Sequence, residues 1–311
     1  MKKQKFRLTL SLKISLAVSI ILIVSYTIIF TSVLMGQYND SINRAETTAK
    51  DMISVYSNQI GTEIKSLENI SKTLKSFVEE NIKSGEKDRN SIIEIQKQLL
   101  ENYSNIYGVS VTFEANKFDG KDVTYIGKEG AGSNGELQSY VIRDSKGYKV
   151  LQSKSSKADS DWYMKPRISR KIYISDPKEY SIDGKKVNLV TLSVPILGSD
   201  DTVLGVISLD IEINIFQELI ETMKPNGGTA QLLSEDGFFV ANTENPESIM
   251  KDSRELGEPW VTVTQATNND KDINGYLDSD EIDGKVLEIT SDIKVNGEDL
   301  GWKLCSTIPK D

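Results

Sequence analysis

The chain has no histidine among its 311 residues. That removes Ser-His and Cys-His nucleophilic catalysis, histidine-based zinc sites and a phospho-accepting histidine from this sequence, and it weighs against an enzyme. There is one cysteine, Cys305, so no disulfide can form within the chain. The plain reading of Cys305 is a small residue buried in the last strand, and the other reading is a reactive thiol. Long apolar runs are missing as well, with one exception. No charged residue occurs between Lys13 and Asp40, and Ile14 to Met35 is almost wholly apolar. As a helix rising 1.5 Å per residue, about 22 such residues span a hydrocarbon core of roughly 30 Å.

Charge gives that span a direction. Lys2, Lys3, Lys5, Arg7 and Lys13 precede it with no acidic residue among them. The positive-inside rule keeps that end in the cytoplasm and sends the remainder outside. A cleaved signal peptide is the rival, but the run is longer than a signal's apolar core and no clear A-x-A site follows it. Both readings place the rest of the chain outside the cell. Setting aside the five basic residues takes the net charge from −9 to −14, which excludes nucleic acid as a natural partner.

Proline is absent and glycine almost absent from 37 to 84. Ile53, Tyr56, Ile60, Ile64, Leu67, Ile70, Leu74, Phe77 and Val78 recur there at spacings of three and four, which predicts one long amphipathic helix continuous with the span. Its near-heptad register suits a homodimer or packing along a sheet. Gly85-Glu86-Lys87-Asp88 breaks it, and a shorter helix is expected from Arg89 to about Tyr103. The texture then turns to strands: Val109–Phe113, Ser139–Ile142, Gly147–Leu151, and the apolar pair Val187–Ile196 and Thr202–Ile213. A short helix is expected from Asn214 to Met223. Pro225-Asn226-Gly227-Gly228 marks a boundary. Beyond it Thr229–Leu233 pairs with Phe238–Ala241, Lys285–Ser291 pairs with Gly301–Ile308, and Pro259–Thr264 has the look of a strand.

The expected fold class is mixed α+β (α/β in the broad sense), with two PAS-like antiparallel-sheet lobes. The segments are a cytoplasmic tail 1–13, a transmembrane helix 14–36, a long helix 37–84, a first lobe 85–224 and a second lobe 225–311.

Several segments in this order resemble the double Cache sensor regions of bacterial methyl-accepting chemotaxis receptors. They are Asp161-Trp162-Tyr163 with Ile174-Ser175-Asp176-Pro177, Val190–Pro195 with Leu204–Ile211, and Gly301–Leu304 with Ile308-Pro309-Lys310. The resemblance implies a small-molecule ligand, an amino acid or amine, in a membrane-distal first lobe, with the Trp-Tyr pair on a loop covering the sheet and the strand aspartate pointing into the pocket. It designates Trp162, Tyr163, Asp176 and Asp210, with Tyr140 and Tyr173 as second choices. Aromatic walls and a carboxylate suit an ammonium group, and a carboxylate at Asp210, between Leu209 and Ile211, is costly unless paired. The bland readings are lobe core for Trp162 and a turn for Asp176. Members that bind amino acids carry an arginine two positions before the tryptophan. Here that position is Ser160, leaving Arg143, Arg167 or Arg170 as substitutes. The resemblance also implies that a second span and a signalling module follow Asp311.

A separate pattern runs from Asp270 to Glu281 and matches an EF-hand calcium loop at its defined positions. Ligands would be Asp270, Asp272, Asn274, the Tyr276 carbonyl, Asp278 and Glu281, with Gly275 at the turn. The flanks read as strands, so a structural Ca2+ loop within the second lobe is expected, against a solvated acidic turn. No organic cofactor is expected. Rivals to a chemoreceptor are the same sensor on a histidine kinase or nucleotide cyclase, a calcium-stabilised surface adhesion protein, and an extracellular hydrolase using carboxylates.

Overall fold

The computed structural model describes residues 9–145, 147–152, 156–223, 228–267, 269, 271–281 and 284–309. It comprises two compact units, Met1–Lys50 and Asp51–Asp311. Helix α1, Leu10–Ser84, contributes to both and merges the two helical segments expected from the sequence.

In the first unit the apolar side chains from Leu10 to Met35 are exposed, and among the described residues α1 is the one helix long and apolar enough to cross a membrane. Three of its hydroxyls bond within the helix. Ser25 donates to the Ile21 carbonyl at 2.8 Å, Thr27 to Ile23 at 2.7 Å and Thr31 to Thr27 at 2.8 Å.

In the second unit α1 buries Ile53, Ile60, Ile64, Leu67, Ile70, Leu74 and Val78, the stripe its spacing predicts. Gly61 is required by close approach: a Cβ there would stand 2.5 Å from the Lys294 carbonyl oxygen. Helix α2, Arg89–Asn102, starts on Asp88, whose carboxylate accepts from the Asn90 and Ser91 amides.

The first lobe is a seven-stranded antiparallel sheet built from β1 (Gly108–Phe113), β2 (Gln138–Asp144), β3 (Gly147–Leu151), β4 (Tyr173–Ile174), β5 (Lys178–Ile182), β6 (Lys185–Leu197) and β7 (Val203–Glu212). The order is β3-β2-β1-β7-β6-β4, with β5 also on β6. Helix α2 packs on β1 and β2, where Gln96 donates to the Val109 carbonyl at 2.9 Å and accepts from Ser139 Oγ at 2.7 Å. Helix α3, Asp161–Ser169, packs on β6 and β7. Helix α4, Asn214–Glu221, leads to the second lobe.

That lobe has β8 (Thr229–Leu233), β9 (Phe239–Asn242), helix α5 (Trp260–Thr267), β10 (Asn274–Ser279), β11 (Gly284–Val295) and β12 (Glu298–Pro309), in the order β10-β11-β12-β8-β9. The boundary expected at 225–228 falls mostly outside the described residues.

Two expectations change. The segment 259–264, read as a strand, belongs to α5. Its β-branched residues alternate, but the buried set is Trp260, Val263, Thr264 and Thr267, a helical i, i+3, i+4, i+7 stripe. The Trp162-Tyr163 pair, expected on a loop, is on α3, which begins after Ser160 and ends on Arg170 in a left-handed conformation (φ 59°).

Candidate functional site

Two rows of residues cross the face of the first sheet that includes Asp210. One runs Tyr140–Ser110–Ser208–Ser193–Tyr173, and the next runs Ile142–Gly108–Asp210–Thr191. Residues directly opposite in an antiparallel ladder share a face. This face is therefore unusually rich in hydroxyls for a buried sheet. Ser193, Ser208, Thr191 and Asp210 are all at most 1% exposed.

Asp210 is the centre of the group. Thr191 Oγ1 donates to its Oδ1 at 2.8 Å. The Tyr140 hydroxyl is buried with no hydrogen-bond partner, and burial first, then the nearby Asp210 charge, hold that phenol well above its ordinary range. Burial and the Asp210 charge also raise the phenol of Tyr180, which is bonded to Thr191. Tyr107 donates its backbone N–H to the Asp210 carbonyl at 2.8 Å and packs against the cluster of Tyr140, Ile142, Tyr180, Ile182 and Leu189. Beside this group, Ser193 Oγ and Ser208 Oγ are buried with no hydrogen-bond partner. A buried hydroxyl left unpaired costs about 1–3 kcal/mol, so such groups call for a reason.

The remaining designated residues are arranged around this centre. Tyr173 ends the serine row, and the Asp161 charge at the start of α3 bears on both Tyr173 and Tyr180. Trp162 and Tyr163 stack edge-to-face at 5.6 Å and pack on Val206. Val206 is four residues from Asp210, about 13 Å along the strand. Tyr163 donates its hydroxyl to Glu114 at 2.9 Å, as does Arg167 Nε at 2.6 Å. Asp176 does not join Asp210. It meets Ser234 and Asp236 of the second lobe, and burial followed by the Asp236 carboxyl raises it to about 6. Asp176 is thus a contact between lobes.

Two of the three candidate arginines are engaged away from Asp210. Arg143 donates to the carbonyls of Leu100, Ile106 and Tyr103 at the end of α2. Arg167 pairs with Glu114, and Arg170 ends α3. A cleft of about 490 Å³, lined by Ile106, Tyr107, Arg143, Glu212 and Asn214 among others, opens where β1 begins and β7 ends.

Gly108, Tyr107, Tyr180, Thr191, Ser193 and Ser208 were not singled out from the sequence. A signal for three of them exists: Thr191 and Ser193 on β6, and Ser208 with Asp210 on β7, place a polar side chain at every second position of an apolar strand.

The acidic segment 270–281 does not form the expected calcium loop. Asp270 lies outside the described residues. Asn274–Ser279 is the extended strand β10, paired with β11 from Asn274↔Ile289 to Ser279↔Gly284. Gly275 is not turned into the left-handed region. The carboxylates have other partners. Asp272 binds Lys303 Nζ at 3.1 Å, Asp278 lies 3.4 Å from Lys285, and Glu281 accepts from Trp260 Nε1 at 3.1 Å. No group of three metal-ligating side chains exists among the described residues.

Residues 92–218 match the family described as methyl-accepting chemotaxis protein-like, first PDC sensor domain. The methyl-accepting chemotaxis protein TlpQ of Pseudomonas aeruginosa is 27% identical over 158 residues, covering 45% of this chain and 22% of that protein. The chain therefore spans about a fifth of the length of that relative. Among solved structures, the extracellular domain of a proposed histidine kinase, mmHK1S-Z2, superposes with a TM-score of 0.75 at 20% identity, over 86% of this chain and 97% of that one. The ligand-binding domain of the Pseudomonas aeruginosa amino acid chemoreceptor PctC, in complex with GABA, gives 0.56 at 14% identity, over 85% and 99%. By sequence, residues 92–218 are similar to methyl-accepting chemotaxis protein-like first PDC sensor domains, and the chain shares the two-lobed fold of these solved sensor regions.

Proposed function

We propose that this chain is the extracellular sensor region of a membrane-anchored chemoreceptor, and that a small amine or amino acid binds over Asp210. The observation that carries this is the buried carboxylate itself. Asp210 is held by Thr191 beside the buried hydroxyls of Tyr140, Ser193 and Ser208, which have no hydrogen-bond partner. An ammonium group brings three N–H donors to such a set of acceptors and gains charge-assisted bonds in a water-poor place. PctC, which shares the fold, is an amino acid chemoreceptor seen with GABA.

The arrangement favours an amine over an α-amino acid. A ligand carboxylate needs a cation, and Arg143 and Arg167 are engaged elsewhere while Arg170 ends α3. Binding in this reading draws α3 against the sheet and shifts its packing, which biases a homodimer across the membrane through α1. Such a bias needs unequal affinity for two states. The protein is a binding module in this reading, and the mmHK1S-Z2 likeness makes a kinase output the alternative to a chemotaxis output.

Thermal unfolding of the full chain in detergent tests this, with GABA, butylamine and the common amino acids as probes. A rise in melting temperature with butylamine or GABA that is lost in Asp210→Asn is the expected result. If no compound raises it, or if the rise survives in Asp210→Asn, the reading fails.

A further inference from the structure

The second lobe carries a buried carboxyl of its own, Glu288, with the exposed Glu244 and Glu281 near it. On β12, Lys303, Cys305 and Thr307 alternate onto the face that α5 covers, where Trp260 and Val263 pack with Leu233, Phe239 and Cys305. Glu288 on β11 lies directly opposite Thr307. It is 0% exposed. Its Oε2 accepts from Thr307 Oγ1 at 2.8 Å, while its Oε1 has no hydrogen-bond partner.

The surroundings of Glu288 supply acceptors and carboxylates. Thr307 Oγ1 is 3.3 Å from Gln231 Oε1, Gln231 Nε2 donates to Thr229 Oγ1 at 2.9 Å, and Thr229 Oγ1 donates to Glu244 Oε2 at 3.3 Å. Glu281, which accepts from Trp260 Nε1, bears in turn on Glu244. Among the described residues no ion pair includes Glu244, Glu281 or Glu288. The lysine on this face, Lys303, is taken up by Asp272 and Asp292. Three carboxyls, a tryptophan and an unsatisfied buried oxygen thus share one region without a cation of their own.

We infer that the α5 face of the second lobe is a separate binding site for a small organic cation bearing a primary ammonium, which donates to Glu288 Oε1 with Glu244 and Glu281 nearby and the Trp260 ring as a wall. An ammonium matches both needs of the site, donors for the bare oxygen and charge for the carboxyls, and an aromatic face adds attraction. Burial first, opposed by the Thr307 hydrogen bond and reinforced by Glu244, raises the Glu288 carboxyl well above its ordinary range. Cation binding there favours the carboxylate, so in this proposal one positive charge enters as one proton leaves. The other titratable groups of the face are Glu244, Glu281, Cys305 and Lys303 with its two aspartates. This site is independent of Asp210, which belongs to the other sheet.

The test uses the full chain in detergent, with methylammonium chloride compared against sodium chloride at equal ionic strength. Methylammonium is expected to raise the melting temperature of the wild type and of Asp210→Asn alike. In Glu288→Gln the midpoint concentration should rise at least tenfold. Glu281 is exposed, so Glu281→Gln folds normally, and there the midpoint should rise several-fold. Calorimetry in two buffers of different ionisation enthalpy should show proton release in the wild type that is absent in Glu288→Gln. No response beyond the sodium control overturns the inference, and so does an equal response in wild type, Glu288→Gln and Glu281→Gln. Loss of the response in Asp210→Asn but not in the glutamate variants also overturns it, and assigns methylammonium to the first lobe.

Discussion

Tyr140 reaches Asp210 by passing over Gly108. A Cβ on Gly108 would stand 2.6 Å from both the Cε2 and the hydroxyl oxygen of Tyr140, and Gly108 is the β1 residue directly opposite Asp210. The glycine is the gap through which a β2 side chain crosses β1 to meet a β7 carboxylate.

Gly108→Ala should therefore displace Tyr140. Forcing a methyl group into a filled site costs about 1–3 kcal/mol. Tyr140→Phe removes only a buried hydroxyl without a hydrogen-bond partner and should be near neutral. Denaturant unfolding of both variants checks the order. If Gly108→Ala is the milder of the two, the ring does not lie where the structure puts it.

Much of the architecture is legible in the sequence because it rests on local periodicity. The α1 stripe from Ile53 to Val78 and the Val187–Ile196 and Thr202–Ile213 pair each announce themselves by spacing alone. The misread segments are those where two periods compete, as in Trp260-Val261-Thr262-Val263-Thr264, or where one residue type serves two ends. Asp270–Glu281 has the composition of a calcium loop, but Leu277 and Ile273 pack against the α5 cluster, and β11 offers a pairing edge that draws the segment out as a strand. The site was half legible. Asp210 stands out as a carboxylate in an apolar strand, whereas Gly108 and Thr191 matter only once the register sets them on either side of it, and register is a tertiary property.

Arg89 at the start of α2 is a second point where sequence offers no warning. Its guanidinium donates to Asp119 at 2.8 and 2.9 Å, to Asp122 at 2.8 Å and to the Gly135 carbonyl at 2.6 Å, and it lies 3.8 Å from the centre of the Tyr125 ring. All three charged side chains are at most 5% exposed. Removing one member of a buried ion group leaves uncompensated charge, so Arg89→Ala should cost about 3–5 kcal/mol. The pH dependence has a definite sign. Burial opposes the charged form of Asp119, but the Arg89 hydrogen bond and charge outweigh it, and its pKa is lowered from 3.8. The stabilisation is full above that unfolded value and is lost as pH falls through the lower folded one. The gap in stability between wild type and Arg89→Ala should be widest near neutrality and shrink below about pH 4. A gap that is constant with pH would mean that packing, not charge, holds this corner.

Asp176 predicts the opposite slope. It sits at the contact between lobes, where burial first, and then the Asp236 carboxyl bonded to it, raise its pKa to about 6, with Ser234 and Lys165 opposing. A carboxyl whose folded pKa exceeds its unfolded value of 3.8 binds more protons in the folded state. Between those two values stability falls as pH rises, and above about 6 the penalty is complete. Asp176→Asn removes the charge and keeps the shape. The variant should melt above the wild type at pH 7–8, and the two should converge as pH falls towards 4. Lys165 on α3 lies 3.7 Å from Asp236, so Asp176 and Lys165 both engage the one β8–β9 turn, and Asp176→Asn should leave that ion pair in place. Melting curves across pH 4–8 decide it. If the variant is less stable than the wild type at pH 8, Asp176 is held there as a satisfied anion and its contact with Asp236 must be bridged by a proton donor from elsewhere.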